Sequence, residues 1–303
     1  MIIFIIIPVH NRKQFTFNCL TALINQTNKN FYIVVIDDGS TDGTSEMIKD
    51  HFKDVILLKG DGNLWWSGAT NLGVKYALKN NASYIMTLND DTVPCEDFME
   101  NMFHWAQEMP NALLGALALN ANTGQPDYGG ELLSWKTAGY TKLLNLLKKD
   151  EQKGIHPVTH YPGRGLLIPA AVFNKIGFYD EKNFPQAVAD DDFAHRAKRA
   201  GYNIYCNYDA KLFTYPEESA IIKLRQKKNI KNYYSHLFGL KGGGNLKYFT
   251  IYALKNCPPK YILLFLPIGI IRRVLGYPKE WALDYIKGRH LKWKQFIVDF
   301  LNK

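Results

Sequence analysis

The chain has 303 residues, 47% of them hydrophobic and 21% charged, with a formal net charge of +9. That is enough for one large α/β domain plus an extension, or for two domains, with ample material for a core. The four cysteines, Cys19, Cys95, Cys206 and Cys257, are scattered without metal-ligand or redox spacing, which excludes a zinc or dithiol centre and fits structural thiols without disulfides in a reducing compartment.

Met1 to Val9 is apolar but lacks a basic leader and a small-residue cleavage site, so it reads as a strand and not as a signal peptide. Strands and helices then alternate. Ile2 to Pro8 is an apolar run, Phe15 to Ile24 carries helical spacing, and Tyr32 to Asp37 is a second strand. Asp42 caps a helix through His51, Val55 to Leu58 is a third strand, and Ser67 to Leu78 is a helix closed by Asn80 and Asn81. A fourth strand, Tyr84 to Leu88, leads into Asn89, Asp90, Asp91 and Thr92, and Pro94 to Met109 makes the next helix. This order predicts parallel strands joined by helical crossovers, without internal repeats. Asn120 to Pro162 shows no pattern beyond a short basic helix near Lys148 and reads as variable loops that select an acceptor.

The strand tips carry the chemistry, because ligands of open α/β sheets bind at the carboxyl edge. Strand one ends in Pro8, Val9, His10, Asn11 and Arg12, and strand two in Asp37, Asp38, Gly39, Ser40, Thr41 and Asp42. Both fall on the same edge as Asp90 and Asp91. Adjacent carboxylates suit a hard divalent cation, since Mg²⁺ takes one or two protein oxygens and leaves its other positions to water and phosphates. A carboxylate such as Asp38 can accept the imide N–H of uracil or thymine. Each tip taken singly is equally a turn with a helix cap. The series Asp190, Asp191, Asp192 is a second acidic cluster; mutual repulsion raises at least one pKa, while Arg196 or His195 one turn on can hold another ionised. Acids at a helix N-terminus are also simply favoured by the macrodipole.

In this order the motifs resemble glycosyltransferase family 2, of inverting GT-A fold. Pro8 to Asn11 is similar to the family's Pro-Val-Tyr-Asn, with His10 in the Tyr place, and Asp37 to Asp42 carries its Asp-Asp-Gly-Ser-Thr-Asp unchanged. Gly62 to Asn71 resembles its nucleotide-facing helix entry, with Thr70 where many relatives carry Arg and Trp65 where many carry Gly. The resemblance implies a mainly parallel, Rossmann-like mixed sheet flanked by helices, with a C-terminal helical extension. It implies nucleotide contacts at Pro8, His10, Asn11, Arg12, Asp38, Asn63, Trp66, Gly68, Asn71 and Asp90. One of Trp65 and Trp66 is expected to form a stacking wall and the other to join the core. Asp91 is the implied metal ligand, for Mg²⁺ or Mn²⁺, with Asn89 in the place of the first Asp of Asp-x-Asp. The late His of many relatives is missing from Phe213, Thr214, Tyr215 and Pro216, so weak metal affinity without nucleotide is expected. Ala189 to Phe193 resembles Glu-Asp-x-Asp-Leu, a register that makes Asp190 the general base and Asp191 its fallback. Gly163, Arg164 and Gly165 fall in the acceptor-side segment.

The implied activity is transfer of a sugar from a UDP or dTDP donor, with rhamnosyl or another deoxyhexosyl group as the class expected, to a glycan or polyprenyl-linked acceptor in bacterial surface polysaccharide synthesis. A non-catalytic sugar-nucleotide-binding relative is the alternative that Asn89 and the missing His keep open. A dinucleotide oxidoreductase would share the alternation but needs a Gly-x-Gly-x-x-Gly that the first strand lacks.

The expected division is a catalytic domain over residues 1–217 and a basic helical extension over 218–303. From Ile221 onward 17 Lys or Arg face three acids, a net +14 that leaves the preceding part negative. Lys223, Arg225, Lys227, Lys228 and Lys231 open the extension, and Arg272 and Arg273 follow the apolar run Tyr261 to Ile271. Lys287, Arg289, Lys292 and Lys294 surround Trp293 near its end. The apolar run falls short of the roughly 20 residues that span a bilayer, so it reads as an interfacial segment on an anionic membrane or as a packing or homo-oligomer element. Nucleic acid is not the expected partner, because the charge is interleaved with apolar residues. The expected location is cytoplasmic, on the inner face of the cell membrane.

Overall fold

The computed structural model describes residues 1–218, 222, 223, 226 and 228–301, with side chains as far as Ile286. Arg225 and Lys227, and the side chains of Lys287, Arg289, Lys292, Trp293 and Lys294, lie outside the described residues.

The first half follows the alternation of its sequence: β1 (Ile3–Val9), α1 (Lys13–Ile24), β2 (Phe31–Asp37), α2 (Thr44–His51), β3 (Ile56–Lys59), α3 (Trp65–Lys79), β4 (Tyr84–Thr87), β5 (Thr92–Pro94) and α4 (Phe98–Glu108). β1 lies between β2 and β4, and β2 pairs with β3, all in parallel. Such strands are covered on both faces and are therefore continuously apolar. Ile3, Ile5, Ile6, Ile7, Val34, Val35 and Ile36 are fully buried. Asn81, at φ 58°, closes α3, and the Asn80 amide donates back to the Tyr76 carbonyl at 2.8 Å. The four thiols are free; Cys19, Cys206 and Cys257 are buried.

The second half adds β6 (Ala112–Asn120), β7 (Pro126–Tyr128), β8 (Glu131–Ser134), β9 (Gly139–Lys142), β10 (Ile155–Pro157), β11 (Leu166–Pro169), α5 (Ala170–Ile176), α6 (Ala189–Arg199) and β12 (Asn203–Thr214). The main sheet runs β10-β12-β6-β11-β4-β1-β2-β3, with β11 antiparallel to β4 and β6. A mixed, mainly parallel sheet flanked by helices is thus the architecture, as the sequence implies. The region without sequence pattern holds the β8-β9 hairpin and two short 3-10 turns, Leu143–Asn145 and Lys149–Glu151, in place of the expected basic helix.

Beyond β12 come α7 (Ile230–Phe238), α8 (Leu246–Asn256) and the long α9 (Ile262–Leu301). α8 docks on α6 through Asp192, which is fully buried. Its carboxylate accepts from Arg196 Nε at 2.8 Å and Asn256 Nδ2 at 2.9 Å, and pairs with Lys255 Nζ at 3.1 Å. Of the two cations considered for this cluster, Arg196 takes the role; His195 packs on Trp135 with ring centroids 5.0 Å apart, and burial drives its pKa down to about 3. α9 lays Phe265 and Gly269 on Phe249 of α8. The apolar segment is longer than the run Tyr261 to Ile271 suggests. Pro259–Ile286 spans 28 residues and contains an 18-residue window with a mean hydropathy of 1.4, enough by length and composition alone to cross a membrane. Short apolar runs on either side of Arg272 and Arg273 join into one helix, which is why the expected shortfall does not hold.

Removing the Asp192 carboxylate takes the acceptor from Arg196 Nε and Asn256 Nδ2 at a buried helix interface, while Lys255 keeps Asp180 at 2.6 Å, so the loss is about 3 kcal/mol, the low end for a broken buried pair. Asp192→Ala should therefore lower the unfolding free energy read from chemical denaturation by that amount. The same substitution should raise proteolytic cleavage in the chain from Ile230 onward.

Candidate active site

The tips of β1 and β2 are tied together by their own side chains. The Asn11 amide oxygen accepts the Thr41 N–H at 2.7 Å, and Ser40 Oγ accepts the Asn11 N–H at 2.9 Å. Asn11 sits at φ 53°, a conformation that Asn tolerates because its short side chain bonds locally. His10 Nδ1 donates to the Asp38 carbonyl at 2.6 Å. Asp42 is the N-cap of neither adjoining helix, those places falling to Arg12 and Gly43, but it receives their first N–H groups, of Thr44 and Lys13, at 3.1 and 3.0 Å. Asp37 is a buried structural group. Burial alone would raise its pKa, but hydrogen bonds from Ser40, Ser45 and Lys59 outweigh it and bring the value to about 2.

Asp38 organises the next turn. Its Oδ1 accepts Gly62 N–H at 2.8 Å and its Oδ2 accepts Leu64 and Trp65 N–H at 3.0 and 3.1 Å. Gly39, at φ 76°, lets the two loops touch: a Cβ there would lie 2.9 Å from Gly62 Cα. One acceptor position of the Asp38 carboxylate is left by this bonding, on Oδ1, at the wall of a cleft lined also by Pro8, His10, Arg12, Trp65, Trp66, Asn89, Asp90 and Asp91. Trp65 is the exposed wall, while Trp66 packs edge-on against Tyr179, 5.1 Å between ring centroids. The Trp66 indole donates to Asn89 Oδ1 at 3.1 Å and occupies the space that a side chain at Gly163 would need.

The acidic turn after β4 is half satisfied from within. Arg12 lies 3.2 Å from Asp91 Oδ2 and 3.7 Å from Asp90 Oδ2, and the latter oxygen is buried without a hydrogen-bond partner. Burial, offset in part by Arg12, pushes the Asp90 carboxyl up to about 7. Among the described residues no group of three or more His, Cys, Asp or Glu is placed to hold a metal. Two cleft-facing carboxylates, one with an unused oxygen, still fit the protein's share of a Mg²⁺ or Mn²⁺ shell whose other positions belong to diphosphate and water. Asn89 has its oxygen engaged by Trp66, which makes it a poorer third ligand.

The same cleft widens into a second chamber that contains Asp91 and Arg12 together with Glu131, Tyr140, His160, Arg164, Asp190, Asp191, Lys241 and Arg273. Asp190 stands at the start of α6 and accepts the Gly163 N–H at 3.3 Å. Burial, aided by neighbouring Asp191, raises it to about 6; burial and Glu131 raise Asp191 to about 7 against the pull of Arg273. His160 Nε2 lies 3.4 Å from Asp191 and 3.8 Å from Glu131, and burial holds its pKa down in spite of Glu131 and Asp190. Arg164 stacks 4.9 Å from the Tyr128 ring, with its Nε buried and unbonded. Gly165, at φ 84°, donates its N–H to the Thr87 carbonyl at 2.8 Å.

Most of the residues singled out from sequence therefore meet in one cleft. Five do not line it: Gly163 lies against Trp66 and Gly165 against Leu212, behind the cleft wall, and three more are placed elsewhere. Asn71 is buried and spends its side chain bracing the Gly177 to Glu181 segment, donating to the Tyr179 carbonyl and to Glu181 at 2.9 and 2.8 Å and accepting Tyr179 N–H at 3.0 Å. Gly68 is packed against Leu64, and Asn63 is exposed on the turn, its N–H donating to Asp61 at 2.9 Å. Glu131, Tyr140, His160, Gln186 and Lys241 also line the cleft with no signal in the sequence, and Arg273, noted there only as a basic residue of the extension, joins them. All but Gln186 come from the unpatterned middle and the extension, where no spacing rule connects them to the cleft.

The protein-family model described as glycosyl transferase family 2 matches residues 4–167. An uncharacterized glycosyltransferase of Rickettsia bellii is 35% identical over 108 residues, 34% of this chain and 15% of its own length. The chain thus spans a small part of that relative. Staphylococcus aureus TarS 1–349 in complex with UDP-GlcNAc superposes with a TM-score of 0.58 at 13% identity, covering 94% of this chain and 92% of that one. The mannosyltransferase PcManGT of Pyrobaculum calidifontis, in complex with GDP-Man and Mn²⁺, gives 0.58 at 13% identity, covering 94% and 75%. At such identities these two speak for the fold.

A carboxyl whose pKa is higher folded than unfolded favours the fold at low pH, and that contribution is lost as pH rises through the folded value. For Asp190 the window lies between an unfolded value of about 4 and a folded value of about 6. Asp190→Asn can keep the acceptor for Gly163, at the expense of the bond from the neighbouring Asp191 N–H, and removes the charge. It should raise the thermal midpoint at pH 8 and leave it nearly unchanged at pH 4, as read by calorimetry.

Proposed function

The chain belongs to glycosyl transferase family 2, and from that premise we propose that it transfers a sugar from a nucleoside-diphosphate donor to a hydroxyl of a glycan or lipid-linked acceptor in cell-surface polysaccharide synthesis. The observation that carries this reading is the shared cleft: a half-buried carboxylate at a helix start, Asp190, opens onto the same chamber as Asp91 and Arg12 at the end of the central strands. Family membership displaces the oxidoreductase alternative.

In this reading the acceptor lies in the wider chamber and the donor in the narrower one. Asp190 takes the proton of the acceptor hydroxyl while that oxygen bonds to the anomeric carbon. The bond from this carbon to the diphosphate breaks on the opposite face, which inverts the centre without a covalent intermediate. A raised pKa suits a base that must be ionised yet still proton-hungry near neutrality, and the Gly163 N–H keeps its Oδ2 in place. Asp191, facing His160 and Arg273, is the fallback base. A Mg²⁺ or Mn²⁺ held by Asp91 and the donor, with Asp90 beside it, would neutralise the leaving diphosphate. Arg12 orients those carboxylates, and Trp65 offers its face to the base. The free position on Asp38 Oδ1 favours a pyrimidine imide, hence UDP or dTDP, with a deoxyhexosyl group as the sugar class. We treat residues 1–217 as the catalytic unit and 218–303 as its extension.

The extension supports attachment to a membrane surface. One face of α9 packs on α8, while Leu263, Leu264, Ile271 and Leu275 are exposed on the other, with Lys260 exposed just before the helix and Lys279 exposed along it. An apolar stripe flanked by cations is suited to lie in the interface of an anionic membrane, each cation contributing about 1 kcal/mol. That arrangement would set the acceptor chamber close to lipid-linked acceptors.

Asp190→Asn should retain nucleotide-induced thermal shifts and lose at least a hundredfold in transfer of a radiolabelled sugar, the usual scale for a lost general base. Asp91→Ala should lose the Mn²⁺-dependent part of the shift. UDP or dTDP should stabilise the protein more than GDP; equal shifts would end the pyrimidine assignment. The full chain should sediment with anionic but not neutral liposomes at low salt, and high salt should release much of it.

A further inference from the structure

The extension contributes a second element to the cleft, the loop Gly239 to Asn245 between α7 and α8. It is a built turn. Asn245 donates through Nδ2 to the Gly239 carbonyl at 3.0 Å and accepts Tyr248 N–H at 2.9 Å, and Gly244 N–H donates to the His236 carbonyl at 3.2 Å. Side chains at Gly242 and Gly244 would collide with the end of α7, so the loop lies close against that helix. Its apex is Lys241, which lines both chambers and places Nζ 5.8 Å above the Trp65 ring.

The charges around this lysine are uneven. The cations lining the donor chamber are Arg12 and Lys241, among the described residues. Arg12 is already held by Asp90 and Asp91. No carboxylate is paired with Lys241 among the described residues. On the metal side the chain supplies two carboxylates and an amide whose oxygen is taken by Trp66. A nucleoside diphosphate brings two or more negative charges into this space and gains another when the glycosidic bond breaks. An ammonium that is exposed, without an acidic partner and held at the junction of the chambers is suited to meet that charge.

We propose that Lys241 is a ligand of the donor's diphosphate and stabilises it as the leaving group, sharing with the divalent cation a charge that the shortened acidic motif handles poorly alone. The assignment rests on the donor reading above. The bond between the anomeric carbon and the phosphate oxygen breaks, the electron pair stays on that oxygen, and the ammonium faces it without giving up its proton.

The test is calorimetric titration of UDP, dTDP, UMP and dTMP into the full chain and into Lys241→Met and Lys241→Arg, with Mn²⁺ and with EDTA. Methionine keeps the length and the contact with Trp65 while removing the charge. The expected result is about tenfold weaker diphosphate binding in Lys241→Met, little change for the monophosphates, a larger loss in EDTA, and recovery in Lys241→Arg. Equal affinity of Lys241→Met and wild type for the diphosphates in both conditions would overturn the assignment. An equal loss for mono- and diphosphates would also overturn it, since that places the lysine at the base or in packing. A wild-type chain that binds no nucleoside diphosphate would defeat the donor reading itself and this role with it.

Discussion

The carboxylate of Asp38 is the fixed point of the cleft. By accepting three backbone N–H groups from the turn after β3, it sets the entry of α3 and therefore the positions of Trp65 and Trp66. Trp66 passes that order on, reaching Asn89 in the acidic turn and filling the space left by the missing side chain of Gly163. Gly163 in turn donates to Asp190. One continuous chain of contacts thus runs from the proposed base-binding end of the cleft to the proposed general base, and no member is more than one contact from the next. A disturbance at the turn is transmitted to both chemical ends, because packed interiors do not absorb displacement.

Charge in the cleft is balanced across elements far apart in sequence. The strand tips and α6 supply carboxylates, three of which are pushed toward neutrality by burial. The extension supplies cations: Arg273 acts on Asp191, and Lys255 pairs with Asp192 from behind. A chain that ended after β12 would keep the acids and lose these partners. The basic excess of the extension is therefore in part the complement of an acidic cleft, and only in part available to an external surface.

How far the sequence could be read follows from the range of each signal. Parallel strands are marked by unbroken apolar runs and helices by caps, both local, so β1 to β4 and α1 to α4 were legible to within a few residues. The tip motifs were legible because a turn that must bond its own backbone restricts its residue types. Asn71 shows where this fails: the resemblance implies a nucleotide contact there, whereas its hydrogen bonds brace a neighbouring segment. His160, Glu131, Tyr140 and Arg273 were illegible, since three lie in loops or a hairpin and one on a helix, and nothing but the fold brings them together. The apolar run Tyr261 to Ile271 read as short because two arginines look like its end, whereas they interrupt it without ending the helix and apolar residues continue beyond them.

Cys19 lies wholly buried on α1 beneath the acidic turn, its thiol 3.8 Å from the Asn89 carbonyl, and burial with the nearby Asp90 and Asp91 keeps it firmly protonated. A protonated, enclosed thiol does not react with alkylating reagents until the helix lifts from the sheet. The rate at which Cys19 is alkylated in the native protein therefore clocks the opening of the metal-side turn, and a ligand seated on that turn slows the clock by the factor it adds to local stability.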